Sequence, residues 1–134
     1  AKLHGALEVT LWGTGTARRE FLYSDDMAAA CVFLMSLPAL AFERFLDARA
    51  DQPPLVNIGC GDDLTILELA ELVKDVLGYE GTFSFDTTKP DGTFRKVLDV
   101  SVLRSLGWTN RTSLRDGIAL AHADYVARDR TCRD

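Results

Sequence analysis

Apolar and polar positions change period several times along the chain, and each change marks an element. Residues 8–12, Glu-Val-Thr-Leu-Trp, are β-branched and aromatic and predict a strand, closed by the glycines at 13 and 15. Residues 19–23 predict a second short strand, with Arg19, Phe21 and Tyr23 on one face and Glu20 and Leu22 on the other. Ser24, Asp25 and Asp26 then offer an N-cap and negative charge to a helix over 27–37 that ends before Pro38. No side chain in 27–37 is charged. A helix that is apolar all round is buried on more than one side, so either neighbouring elements wrap it or a partner surface covers it.

The pattern is less regular over 39–54, where Phe42, Phe45 and Leu46 fit a short helix before the polar stretch 49–52 and Pro53-Pro54. Residues 55–58 read as a short buried strand running into Gly59-Cys60-Gly61. Thr65 and Glu68 have the spacing of a capping box, Ile66, Leu69, Ala70, Val73 and Leu77 form the stripe of the helix behind it, and Gly78 ends it. A half-exposed strand over 82–87 alternates Phe83 and Phe85 with Ser84 and Asp86. Residues 89–93 form a turn-rich loop from which 95–99 lead out. Ser101 is placed to cap a short helix stopped by Gly107, and Ser113 to cap a last helix carrying Leu114, Ile118, Ala121 and Tyr125 along one side. The charged end, 127–134, is expected to fray, and the opening stretch 1–6 reads as the tail of a helix. The whole is mixed α/β, a single domain over 1–134 with short strands and about four or five helices.

Composition sets limits on the chemistry. The 134 residues are 47% hydrophobic and 26% charged, with a net charge of −5, which excludes a general nucleic-acid binder built on a cationic face. No apolar run reaches the roughly 18 residues of a membrane span. Three cysteines, Cys31, Cys60 and Cys132, lack metal-ligand spacing, and a reducing cytoplasm is the expected location. His4 and His122 lie on predicted helices away from the glycine loops, and no Ser-His-Asp or Cys-His set is apparent, so no catalytic residue and no metal site is assigned. Neither glycine pair is a dinucleotide fingerprint, because the third glycine is missing. What remains is cationic: Arg18, Arg19, Lys89, Arg95 and Lys96 flank glycine turns or a Pro-Asp-Gly turn, suited to gripping phosphates, and Trp12 stands one residue before such a turn. Simple tight turns are the better reading of both glycine pairs, most basic residues are solvated surface, and a tryptophan such as Trp12 is more often a core residue.

A resemblance sharpens this. The runs Val9-Thr10-Leu11-Trp12-Gly13-Thr14-Gly15-Thr16, Arg19-Glu20-Phe21-Leu22-Tyr23, Asp25-Asp26-Met27-Ala28, Asn57-Ile58-Gly59 and Thr65-Ile66, with Glu68-Leu69-Ala70, resemble the extended short-chain dehydrogenases that act on sugar nucleotides. The run Lys89-Pro90-Asp91-Gly92-Thr93, followed by Arg95-Lys96, is similar to the GDP-L-fucose synthase branch of that superfamily. The likeness extends over about residues 1–119, with Phe94 where that branch usually has Pro and Cys60 where it usually has Thr. It implies a C-terminal substrate-binding lobe of an extended short-chain dehydrogenase, lacking most of the Rossmann domain and inactive alone. It implies GDP-sugar contacts from Trp12, Arg19 at the diphosphate, Asp91 near the nucleoside and Lys96 near the phosphates. NADPH is implied for the longer, homodimeric enzyme and not for this chain. Residues 24–37 and 55–61 are then expected to pack on the absent Rossmann portion, leaving the isolated chain to self-associate or rearrange. A lobe of another sugar-nucleotide epimerase or dehydratase, or a non-catalytic binding module, remains open at this point.

Overall fold

Two small sheets carry the architecture. In the first, β1 (Glu8–Trp12) pairs in parallel with β4 (Thr82–Asp86), in register from Glu8 opposite Thr82 to Trp12 opposite Asp86. In the second, β2 (Arg18–Arg19) lies between β3 (Leu64–Thr65), antiparallel to it, and β5 (Arg95–Lys96), parallel to it. The structure is a computed structural model that describes residues 2, 5–47, 51, 53 and 55–131, without the side chains of 129–131. The turn over 13–17 passes the chain from the first sheet to the second. Gly15 (φ 77°) lies so near Phe85 that a β-carbon there would be 2.8 Å from the ring, so a side chain would push the two sheets apart.

Five helices are described: α1 (Ser24–Met35), α2 (Ala39–Asp47), α3 (Ile66–Leu77), α4 (Ser101–Ser105) and α5 (Leu114–Thr131). The capping box predicted for α3 is formed, with the Glu68 N–H donating to Thr65 Oγ1 (3.0 Å) and the Thr65 N–H to Glu68 Oε2 (2.7 Å). Gly78 ends the helix in the left-handed conformation (φ 58°, ψ 45°). α3 packs on α5, and between them and the β1–β4 pair lies an apolar cleft of about 520 Å³. The core sits elsewhere, where Ala30 of α1, Leu103 of α4 and Trp108 are buried against Leu22, Phe33, Leu34, Val56 and Ile58. Full burial of a side chain such as Leu103 contributes about 1.5–3 kcal/mol. Among the described residues no single helix is long and apolar enough to cross a membrane, and α1 and α2 are bent by 93° at their junction.

Several expectations change. The strand expected over 19–23 is confined to Arg18–Arg19, because its partners β3 and β5 are each only two residues long. Beyond it the Phe21 carbonyl accepts from the Cys60 thiol (3.4 Å). Residues 55–58 form no ladder. They keep the alternation of a strand, with Val56 and Ile58 turned to the core and Leu55 70% exposed, but no described strand lies beside them. Ser24 is the first residue of α1 and not its cap; Tyr23 holds that position without a side-chain hydrogen bond. Asp26 turns inward instead, 6% exposed, and accepts the N–H groups of Thr112 (2.8 Å) and Arg111 (3.2 Å), tying α1 to the loop before α5. At α4 the carboxylate of Asp99, two residues before the expected cap, accepts the Ser101 N–H (2.9 Å). Ser113 does cap α5, accepting the Asp116 N–H (3.1 Å).

The uncharged helix is buried on one side only. Ala30 is fully buried, whereas Met27, Val32 and Met35 face outward at 48%, 64% and 88% exposure. α5 continues to Thr131, so the charged stretch from 127 extends the helix. The expected helix tail over 1–6, most of the polar stretch 49–54 and Cys132 lie largely or wholly outside the described residues.

Candidate functional site

The ends of β1 and β4 and the short β2–β5 pair meet around residues 86–96, and the four residues singled out from the sequence stand there. Trp12 ends β1 opposite Asp86 and is 72% exposed. The Gly13 N–H carries the ladder one step further by donating to the Asp86 carbonyl (2.9 Å). Asp91 then fastens the two loops together: its Oδ1 accepts the Thr14 N–H (2.7 Å) and its Oδ2 the Thr14 hydroxyl (2.8 Å). These bonds, the backbone one first, hold the Asp91 carboxyl below the usual carboxylate range. Gly13 (φ 78°) is required for this approach, since a β-carbon there would sit 2.2 Å from Asp91 Oδ1.

Successive side chains of a strand point to opposite faces, and on β2 this separates two arginines that look equivalent in the sequence. Arg18 turns to Asp63, donating from Nε to the carboxylate (2.7 Å) and from Nη2 to the backbone carbonyl (3.0 Å). Arg95 donates to the same carboxylate, whose side chain is only 5% exposed. Both cations depress the Asp63 pKa, Arg95 first and Arg18 next, and Asp63 in turn raises that of Arg18. These two arginines, expected from the sequence to grip phosphates, are therefore held by a shared carboxylate. Arg19 points the other way, donating to the Arg18 carbonyl (2.6 Å) and weakly to the Asp91 carbonyl (3.4 Å). Lys96 is its direct partner across β2 and β5 and is exposed. Among the described residues no carboxylate pairs with Arg19, Lys89 or Lys96.

Glu20 fixes the back of this arrangement. Its Oε1 accepts the Gly61 N–H (2.7 Å) and its Oε2 the Leu98 N–H (2.8 Å), so one carboxylate joins β2, the second glycine loop and the segment after β5. Gly59 has no room for a side chain, as a β-carbon would lie 2.2 Å from Glu20 Oε1. Cys60 in the same loop donates its thiol to the carbonyls of Asp62 (3.3 Å) and Phe21 (3.4 Å). Burial and, after it, the Glu20 and Asp62 carboxylates push its pKa up, which keeps it a thiol and not a nucleophilic thiolate. Cys31 and Cys60 are both free, and among the described residues no group of three His, Cys, Asp or Glu is arranged to hold a metal.

Trp12, Arg19, Asp91 and Lys96 are thus neighbours in space although 84 residues separate the first from the last. The sequence reading missed Asp63 and Glu20, the carboxylates that organise the site. The alternation of Arg18, Arg19 and Glu20 was the available signal that Arg19 faces away from the other two, but the partners of Arg18 and Glu20 lie more than 30 residues away.

Residues 1–46 match the NAD dependent epimerase/dehydratase family. GDP-L-fucose synthase 1 of Arabidopsis thaliana is 51% identical over 126 residues, covering 94% of this chain and 35% of that protein. Among solved structures, the GDP-6-OMe-4-keto-L-xylo-heptose reductase of C. jejuni superposes with a TM-score of 0.81 at 36% identity, over 90% of this chain and 34% of that one. A GDP-D-glycero-L-gluco-heptose synthase of Campylobacter jejuni, determined in the presence of NADPH, gives 0.75 at 36% identity over 88% and 33%. The chain spans about a third of the length of each of these relatives. Along nearly its whole length the chain is similar in sequence to GDP-L-fucose synthases, and its α/β fold is similar to those GDP-sugar enzymes of solved structure.

Proposed function

We propose that this chain is the GDP-sugar-binding, C-terminal portion of an NADPH-dependent GDP-L-fucose synthase and does not catalyse the reaction by itself. The observation that carries the reading is the pairing of Arg19 with Lys96 across β2 and β5, two cations without a carboxylate partner among the described residues, beside the loop that Asp91 fastens to Thr14. The planar fork of Arg19 suits two oxygens of a diphosphate, and Lys96 adds a point charge on the same face. Trp12, at the other side of the Asp91–Thr14 junction, presents an aromatic face to the base or sugar. Asp91, with both oxygens already accepting from Thr14, acts chiefly by holding the loops in register.

In the longer enzyme the reaction is 3,5-epimerisation and 4-reduction of GDP-4-keto-6-deoxy-D-mannose, with NADPH supplying the hydride. This chain's residues do not fit that cofactor: the loop with Gly13 and Gly15 runs into β2 and the loop with Gly59 and Gly61 into β3, so neither opens directly on a helix N-terminus. Its part is to orient the nucleotide so that the sugar is presented in one pose. The outward Met27, Val32 and Met35 of α1, with exposed Leu55, support packing of 24–37 and 55–61 on a Rossmann portion outside this sequence.

Calorimetric titration of the chain with GDP tests the reading. GDP is expected to bind, Arg19→Ala to abolish or strongly weaken binding while leaving the unfolding transition in place, and UDP to bind more weakly. No heat of binding with GDP overturns the assignment, and equal affinity for UDP moves it to another sugar-nucleotide epimerase or dehydratase. Sedimentation tests the docking face: concentration-dependent association is expected, and a clean monomer that binds no hydrophobic dye counts against it.

A further inference from the structure

Lys89 has no part in the reading above. Its ammonium lies 5.8 Å from the centroid of the Trp12 ring, within the range over which an indole face attracts a cation. The backbone holds both residues firmly. The Asp86 carbonyl accepts the N–H groups of Gly13 (2.9 Å) and Lys89 (3.2 Å), and Asp86 Oδ1 accepts the Thr88 N–H (3.1 Å). On the other side of Lys89, Pro90 fixes its own φ, and Asp91 is fastened to Thr14. The strand end bearing Trp12 and the turn bearing Lys89 therefore stand at a set separation. Among the described residues Lys89 has no carboxylate to draw it away. With the ammonium over the ring, Trp12 is still 72% exposed, which leaves aromatic surface open to a ligand.

We propose that Lys89 is a positioning residue for the Trp12 indole, capping one face of the ring so that the other is presented to the planar base of a nucleoside diphosphate. The inference rests on the GDP-sugar reading and deepens it. The phosphates fall to Arg19 and Lys96, and Lys89 acts through the ring and not on the phosphates.

The test follows tryptophan emission and calorimetry on the whole chain, with GDP and inorganic pyrophosphate as probes. The only other tryptophan, Trp108, is 9% exposed, so subtraction of a Trp12→Phe spectrum isolates Trp12. Without ligand, Lys89→Gln is expected to change Trp12 emission and its quenching by acrylamide, and Lys89→Arg to restore both. GDP affinity is expected to fall about two- to fivefold in Lys89→Gln while pyrophosphate affinity holds. Equal losses for the two probes overturn the proposal by making Lys89 a phosphate ligand, and an unchanged Trp12 emission overturns it as well. If GDP binds and Lys89→Gln leaves its affinity untouched, this proposal alone falls. If the unmodified chain binds neither probe, the GDP-sugar reading falls and takes the proposal with it.

Discussion

Removing the Glu20 carboxylate is the most direct way to ask whether the two short strands bearing Arg19 and Lys96 are held from behind. Its oxygens accept the N–H groups of Gly61 at 2.7 Å and Leu98 at 2.8 Å, and each strand of the sheet is only two residues long, so few ladder bonds share the load. A hydrogen bond to a charged group contributes about 1.5–3 kcal/mol. Glu20 is half-buried and Leu98 exposed, so solvent competes and roughly half of that is retained. For the two bonds together, Glu20→Ala is therefore expected to cost about 1.5–3 kcal/mol. Glu20→Gln keeps one accepting oxygen and turns an NH2 toward the other N–H, for a loss of about 1–2 kcal/mol. Urea unfolding reads both: at an m-value near 1.5 kcal/mol per M, Glu20→Ala moves the midpoint down by about 1–2 M with the slope unchanged. If both variants stay within about 0.5 kcal/mol of the unmodified chain, the carboxylate does not tie these segments together and the reasoning fails.

Three further outcomes follow from the same geometry. The Asp63 carboxyl titrates below its ordinary value of 3.8 in the folded chain, so its ionised form stabilises the fold above that value, and the contribution is lost as pH falls through the lower folded value. Comparison with Asp63→Asn by thermal unfolding is expected to show a gap at pH 7 that closes as pH falls below the ordinary carboxylate range and through the lower folded value, and a gap constant with pH counts against the ion pairs. Gly13→Ala places a β-carbon in a left-handed conformation, about 1–2 kcal/mol, and also against Asp91 Oδ1, whereas Gly78→Ala meets nothing nearer than the flexible end of Lys2 at 3.6 Å. The melting temperature is expected to fall further for Gly13→Ala than for Gly78→Ala, and equal falls reject the close approach of Asp91. Arg18→Ala is expected to destabilise the chain with little direct effect on GDP affinity per folded molecule, Arg19→Ala the reverse; calorimetry and urea unfolding on both variants show whether the two arginines divide in this way.

Local chemistry made several parts of the fold legible. The capping box of Thr65 and Glu68, the left-handed Gly78 and the Ser113 cap depend on residues three to thirteen positions apart, and all three formed as expected. The ends of strands were harder to read, because a ladder stops where its partner stops: β2 halts at Arg19 since β3 and β5 are short, although Phe21 and Tyr23 continue the alternation. Caps were misjudged where a tertiary partner competed. Asp26 left the start of α1 for the N–H groups of Arg111 and Thr112, 85 and 86 residues away, and no periodicity in 24–37 encodes that loop.

The sequence by itself determined most of the element types and the family resemblance, and it singled out Trp12, Arg19, Asp91 and Lys96 as candidates, because these rest on side-chain period, turn chemistry and motif order. Only the tertiary structure decided which cations are free. Arg18 and Arg95 share the shielded carboxylate of Asp63, Lys89 stands over Trp12, and Arg19 and Lys96 are left side by side. Charge is a property of the residue, but its availability to a ligand depends on which opposite charge the fold brings within reach.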